Sequence, residues 1–283
     1  MNRMVPAVSA DVPIVLVFSG HDPTGGAGLV ADSEAIAACG GWAMTIPTAL
    51  TVQNCRNVQA VAPVSGSQIR AMANALEDLP VAAIKVGLIA SIDSLLAVME
   101  IIRQRPGVPV IVDPVLKASG GAELSDAELV DTFCELLLPQ VDIVTPNRYE
   151  LARLAGPDST DDTQRATALL HRGCQAVLVT GTDDPVPGVA VSHVMHTLHR
   201  PHGDRQWQWP RLAGSYHGSG CTLAAALAAR LAIGEGVVSA CEQAQAFTWQ
   251  ALKRGWQPGK DQYLPRRLWQ LPNTSFTIPF TAV

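Results

Sequence analysis

A chain of 283 residues with 48% hydrophobic and 16% charged side chains is long enough for one large α/β domain and too apolar for wholesale disorder. Its net charge of −5 excludes a nucleic-acid surface built from bulk basic charge, although backbone amides can still bind a small phosphate. Six cysteines without C-x-x-C or metal-ligand spacing read as reduced thiols of a cytoplasmic protein, and no stretch reaches the ~20 apolar residues that span a bilayer.

The apolar run Ile14–Phe18 ends in Ser19-Gly20 and predicts a first strand rather than a signal peptide. A helix over Leu29–Cys39 follows, closed by Gly40 and Gly41. Trp42–Ile46 predicts a second strand, and Ser67–Asp78 carries apolar residues at helical spacing. Ala82–Val86 is the next strand; the helix Ser91–Arg103 starts on a serine cap and stops before Pro106. After the strand Val108–Val112, Ser125-Asp126-Ala127-Glu128 is a capping-box pattern opening a helix over Asp126–Leu137. Val141–Val144 and Ala176–Thr180 predict two further strands, with a helix over Thr163–Arg172 between them. His193–Trp209 reads as an antiparallel edge hairpin, Gly220–Leu231 and Val237–Lys253 as a final helical pair, and the tail 256–283 as irregular. Several strands are apolar throughout, as strands buried on both faces are. The alternation predicts a three-layer α/β/α fold with a mostly parallel sheet, in one domain over 1–283 with its core at about 13–254. Right-handed crossovers then gather the loops after the strands on one sheet edge, where such folds bind ligands.

Three features carry chemistry. Ser19-Gly20-His21-Asp22-Pro23-Thr24-Gly25-Gly26-Ala27-Gly28 joins the first strand to the first helix. Its glycines allow close backbone approach and leave amides free at a helix N-terminus, without matching a dinucleotide fingerprint or a P-loop. His217-Gly218-Ser219-Gly220-Cys221-Thr222 opens an Ala-rich helix, where free N–H groups and the helix dipole make an anion hole. A cysteine in that first turn is expected to have a lowered pKa. Asp113-Pro114-Val115 and Thr145-Pro146-Asn147-Arg148-Tyr149-Glu150 put acidic and amide groups at the ends of adjacent strands. Asp113, Asn147 and Glu150 form a candidate set for a hydrated Mg²⁺, while Asn147 also reads as a helix N-cap and Glu150 as its capping-box partner.

With Ala31-Asp32, Thr48-Ala49-Leu50-Thr51-Val52-Gln53-Asn54 and Lys85-Val86-Gly87-Leu88, these segments resemble one family from about Pro13 to Arg254. It is the hydroxymethylpyrimidine and phosphomethylpyrimidine kinases of the ribokinase-like superfamily. The resemblance implies a ribokinase-like fold and transfer of the ATP γ-phosphoryl group, with Mg²⁺, to the hydroxymethyl group of a small aminopyrimidine. A second transfer to the monophosphate, in thiamine biosynthesis, is implied as well. Gln53, Asp32 and the backbone of Gly20 are implied in the substrate pocket, with Leu88 and Val115 as apolar walls. A Gln amide complements the donor–acceptor edge of an aminopyrimidine. Gly218, Ser219, Gly220 and Cys221 are implied to stabilise the transferring group. Nucleotide phosphate is implied near Asp113, Asn147, Thr180 and Gly181, and the metal near Glu150 and Asn147 through water. Sugar kinases of the superfamily carry an Asp base where this chain has Cys221, and the pyrimidine kinases carry Cys; proton acceptor and pocket wall are both open roles for it.

Two lysines that the family often carries are absent, one near Ser119 and one where Thr180-Gly181-Thr182-Asp183 stands. Lys117 and Lys85 are the nearby candidates to supply that charge. The resemblance also implies a homodimer, to which the Trp-containing tail is a candidate contributor, and no nucleic-acid or membrane partner. Two alternatives stay open: a pyridoxal kinase, which shares fold, ATP and a heteroaromatic primary alcohol, and a catalytically silent ribokinase-like binding module.

Overall fold

The computed structural model describes residues 12–117, 121, 123–181 and 192–271. Residues 118–120, where one of the two lysines is missing, lie outside them, as do 182–183; Thr180, which stands at the other, is described. The strands are β1 (Ile14–His21), β2 (Trp42–Gln53), β3 (Val58–Pro63), β4 (Val81–Val86), β5 (Val110–Val112), β6 (Ile143–Val144), β7 (Ala176–Val179), β8 (His193–His199) and β9 (Arg205–Pro210). They form one sheet in the order β3-β2-β1-β4-β5-β6-β7-β8-β9. The run from β2 to β7 is parallel, and β3, β8 and β9 are antiparallel additions at its edges.

In chain order the helices are α1 (Gly28–Ala38), α2 (Gly66–Asn74), α3 (Ile92–Arg103), α4 (Ala127–Thr132), α5 (Arg148–Ala155), α6 (Asp162–His171), α7 (Ser219–Ala232) and α8 (Val237–Lys253). Strand side chains alternate between two cores. Leu16, Phe18, Ile84 and Val112 pack with α2 to α6, whereas Val15, Val17, Ala83 and Ile111 pack with α1, α7 and α8. Fully burying a Val, Leu, Ile or Phe side chain is worth about 1.5–3 kcal/mol, so both faces hold the sheet in the middle layer. The α7 segment Ala224–Ala229 is mostly alanine and fully buried, which lets the helix lie close to the strands. Among the described residues no helix is long and apolar enough to cross a membrane.

Five features differ from the sequence expectation. β2 runs on past Ile46, because Pro47 sits where the β1–β2 register shifts and the ladder can spare an N–H. β3 is a mostly exposed edge strand, and its Gln59 and Pro63 break the pattern of a buried strand. The cap expected at Ser125 belongs to Asp126, whose carboxylate accepts from Leu129 N at 2.8 Å. The helix expected to reach Leu137 is α-helical only to Thr132 and loosens into a π turn over Phe133–Leu137, ahead of Pro139 with its missing N–H. Finally, the packed chain continues past Arg254. Trp256 bridges to Leu264, Tyr263 bridges to Tyr216, and Arg267 is 2% exposed.

Candidate active site

The carboxyl ends of β1, β4, β5, β6 and β7 point to one edge of the sheet, and a cleft of about 770 Å³ opens there. Its floor is made by two glycine loops, one after β1 and one before α7. Asp22 in the first loop is 1% exposed and accepts four hydrogen bonds. Oδ1 accepts from Thr24 N at 2.9 Å; Oδ2 accepts from Thr24 Oγ1 at 2.9 Å, Ala27 N at 2.8 Å and His217 Nε2 at 2.8 Å. Burial works to raise the Asp22 pKa, but the bonds from His217 and Thr24 outweigh it and hold the carboxyl below its ordinary value. The Asp22–His217 bond therefore latches one loop to the other across 195 residues of sequence. Their backbones also touch. A Cβ on Gly218, whose φ is +81°, would lie 1.8 Å from the Gly26 carbonyl oxygen, and one on Gly28 would lie 2.1 Å from that of Gly20. Only glycine fits both the conformation and the gap.

Gly218 is the N-cap of α7, with left-handed backbone and no side-chain cap, so the first-turn N–H groups are left for the cleft that Ser219, Gly220 and Cys221 line. Asp113 follows β5 directly beneath them: a Cβ on Gly220 would come within 3.4 Å of its Oδ1. Burial pushes the Asp113 carboxyl up to about 6, opposed by Lys85 and reinforced by Asp32. Its Oδ2 is buried without a partner in the structure. Although part of Cys221 opens to the cleft, burial pushes its thiol up to about 12. This corrects the expectation of a lowered pKa: desolvation and the carboxylates of Asp113 and Asp32 outweigh Lys85 and the helix terminus.

Further along the edge, Asn147 and Glu150 form a reciprocal cap of α5, with Glu150 N on Asn147 Oδ1 and Asn147 N on Glu150 Oε2, each at 2.9 Å. Both line the cleft, as do Thr180 and Lys117. The Lys117 ammonium stands 4.9 Å from the centre of the Tyr149 ring. Gly20, Gln53, Leu88 and Val115 line the opposite end.

Three expected positions differ. Asp32 is fully buried and does not line the cleft; its Oδ2 pairs with Lys85 Nζ at 2.9 Å, both side chains at 0% exposure. Lys85 is therefore spent on that pair rather than on a phosphate. Burial alone would lower its pKa, but Asp32, Cys221 and Asp113 push it up and keep it charged. Gly181 packs beneath β8, where a Cβ would meet the Met195 carbonyl at 2.3 Å, so it shapes the wall from behind. Sequence reasoning missed the Asp22–His217 latch and the buried Arg267, because nothing local pairs residues so far apart.

The family model described as phosphomethylpyrimidine kinase matches residues 22–265. A relative from Rhizobium meliloti named hydroxymethylpyrimidine/phosphomethylpyrimidine kinase is 34% identical over 249 residues, covering 84% of this chain and 90% of its own. Among solved structures, an ADP complex of Bacillus subtilis pyridoxal kinase superposes with a TM-score of 0.82 at 26% identity, over 91% of this chain and 98% of its own. A phosphomethylpyrimidine kinase from Clostridium difficile gives a TM-score of 0.70 at 26% identity, over 84% of this chain and 98% of its own.

Proposed function

The chain belongs to the phosphomethylpyrimidine kinase family, and from that premise we propose that it phosphorylates hydroxymethylpyrimidine and then its monophosphate with ATP, in thiamine biosynthesis. One observation carries the reading to the site. A single cleft holds an uncapped helix N-terminus at its floor and an end lined by Gln53, Leu88 and Val115 that suits a small polar heteroaromatic ring. In the transfer, the acceptor hydroxyl oxygen forms a bond to the γ-phosphorus while the bond to the β-phosphate oxygen breaks and ADP leaves. Positioning and charge stabilisation dominate such a loose transition state. The N–H groups of Ser219, Gly220 and Cys221 are suited to the charge on the transferring group. A thiol pushed up to about 12 keeps its proton at neutral pH, which supports a neutral Cys221 that shapes the pocket. The alcohol proton then leaves with a phosphoryl oxygen.

The donor set fits Mg²⁺ held mainly through water. Asp113 offers a buried, unpartnered carboxylate oxygen beside the helix terminus, and Glu150 reaches the cleft at 6% exposure. Among the described residues no three His, Cys, Asp or Glu converge on a metal cage, which an ion keeping its waters and the substrate phosphates does not need. When bound, the ion would neutralise phosphate charge. Asn147, Thr180 and Lys117 are proposed along the nucleotide. A dimer and a cytoplasmic setting complete the proposal; exposed Trp42, Leu50 and Val52 on β2 support the first and six free cysteines the second.

The higher TM-score with a pyridoxal kinase reflects backbone shape, whereas acceptor choice rests on side chains, where sequence identity favours the pyrimidine kinases. ADP release measured with hydroxymethylpyrimidine, pyridoxal and ribose as separate acceptors decides between them. The pyrimidine is expected to give the highest kcat/KM; preference for pyridoxal would transfer the assignment, and no turnover with any acceptor would leave a binding module.

A further inference from the structure

The side chain of Arg267 is 1% exposed although the residue belongs to the irregular tail. Its guanidinium reaches three elements at once. Nε donates to Thr222 Oγ1 at 2.8 Å, Nη1 to the Gly25 carbonyl at 3.3 Å and to Glu34 at 3.1 Å, and Nη2 to the Gly26 carbonyl. Thr222 is itself fully buried, and its hydroxyl passes the bond on to the Gly218 carbonyl at 2.7 Å.

Each of those carbonyls shares a peptide plane with an N–H that the site uses. In a trans peptide the two point in opposite directions. Drawing the Gly218 carbonyl toward Thr222 therefore turns the Ser219 N–H outward from the α7 terminus, toward the cleft. Holding the Gly26 carbonyl turns the Ala27 N–H onto Asp22 Oδ2, where it bonds at 2.8 Å. A chain of donors also polarises each successive bond, and a charged donor at its head strengthens it. The ordinary helical bond from Thr222 N to the Gly218 carbonyl, 3.0 Å, fixes one direction of that plane; the hydroxyl adds the second.

We propose that Arg267 is a positioning residue for phosphoryl transfer, acting through Thr222 and Gly218 to aim the Ser219 amide and through Gly26 to fix the facing loop. The inference rests on the kinase reading above. It assigns to the tail, beyond residues 22–265 of the family match, a part in building the anion hole.

The test compares the parent with Thr222→Val, Arg267→Lys, Arg267→Met and the double variant Thr222→Val/Arg267→Met. Steady-state kinetics with ATP and hydroxymethylpyrimidine are measured after a thermal melt of each. Removing an oxyanion donor outright costs about 10²–10³ in kcat, so misaiming one is expected to cost Arg267→Met at least about tenfold. The acceptor KM should stay within about twofold, since only transition-state contacts are lost. Arg267→Lys should fall between, because an ammonium keeps the charge but cannot span three acceptors in one plane. Thr222→Val should lower kcat in the same direction, and the double variant should be no worse than Arg267→Met, because both break one chain. Parent kcat in Thr222→Val, parent kcat in a folded Arg267→Met, or multiplying losses in the double variant would overturn the inference. If Arg267→Met does not fold, the isosteric Thr222→Val decides alone. An active parent with unaffected variants removes this inference only, whereas a parent inactive with every acceptor removes the kinase reading and this inference together.

Discussion

Cys221 stands where a general base would be sought, at the first turn of a helix and on the wall of the cleft. Its environment makes it a poor one, since burial, with the carboxylates of Asp113 and Asp32, pushes the thiol up to about 12. Losing a general base typically costs about 10²–10⁴-fold, whereas Cys221→Ser, which keeps a small neutral side chain in the same place, is expected to lower kcat by less than about tenfold. A drop into the larger range would restore the proton to Cys221. His196 is a second residue whose chemistry is set by burial. Gln245 Oε1 accepts from Trp209 Nε1 at 3.0 Å while Gln245 Nε2 donates to the Cys241 carbonyl, so the 3.0 Å contact at His196 Nδ1 is a donation to Oε1. Burial holds this imidazole neutral, lowering its pKa from 6.5 to about 4. The unfolded chain thus takes the proton first, and stability falls as pH drops from about 6.5 toward about 4. His196→Asn keeps an amide donor near the Nδ1 position and cannot titrate. The difference between parent and variant urea stabilities should therefore shrink by a few kcal/mol over that window; parallel curves would mean that His196 protonates freely in the fold. None of this was legible from the residues themselves, because a pKa belongs to the surroundings and not to a motif.

At the level of elements, the buried strands announced themselves as apolar runs, and Val237–Lys253 coincides with its predicted limits. What escaped was structure made by pairing rather than by pattern: β3, the second half of β2, and the bridges of Trp256 and Tyr263. The glycine loops were visible as composition, yet their reason is the contact between them. That contact is testable. Gly40 and Gly218 both have positive φ, at +90° and +81°, but a Cβ on Gly40 meets nothing within 4 Å whereas one on Gly218 meets the Gly26 carbonyl. Gly40→Ala is expected to cost only the left-handed penalty of about 1–2 kcal/mol. Gly218→Ala should cost well beyond it in urea denaturation and weaken nucleotide binding as well. Equal costs at the two positions would mean that the loops do not touch.

For the molecule as a whole, the expected core limit near Arg254 leaves out the groups that complete the floor of the cleft. A chain ending at Arg254 would strip donors from Thr222 Oγ1 and from the carbonyls of Gly25 and Gly26, three groups at about 1–3 kcal/mol each. About 1 kcal/mol moves the Tm of a domain this size by roughly 2–4 °C, so truncation is expected to lower Tm by roughly 10 °C or more. An unchanged melt would show the tail to be a passenger. Most cleft-lining positions could be placed from motif order alone, because strand ends gather on one edge of a parallel sheet; the latch and the arginine could not, because their partners are 195 and 241 residues distant. That distance has a meaning during synthesis. A ribosome adding about 5–20 residues per second needs roughly 12–48 s to travel from Gly26 to Arg267. Through that interval the nascent chain can assemble strands and helices, but its two glycine loops lack the guanidinium that ties them together. The floor of the cleft is thus completed last, after every strand of the sheet has been made.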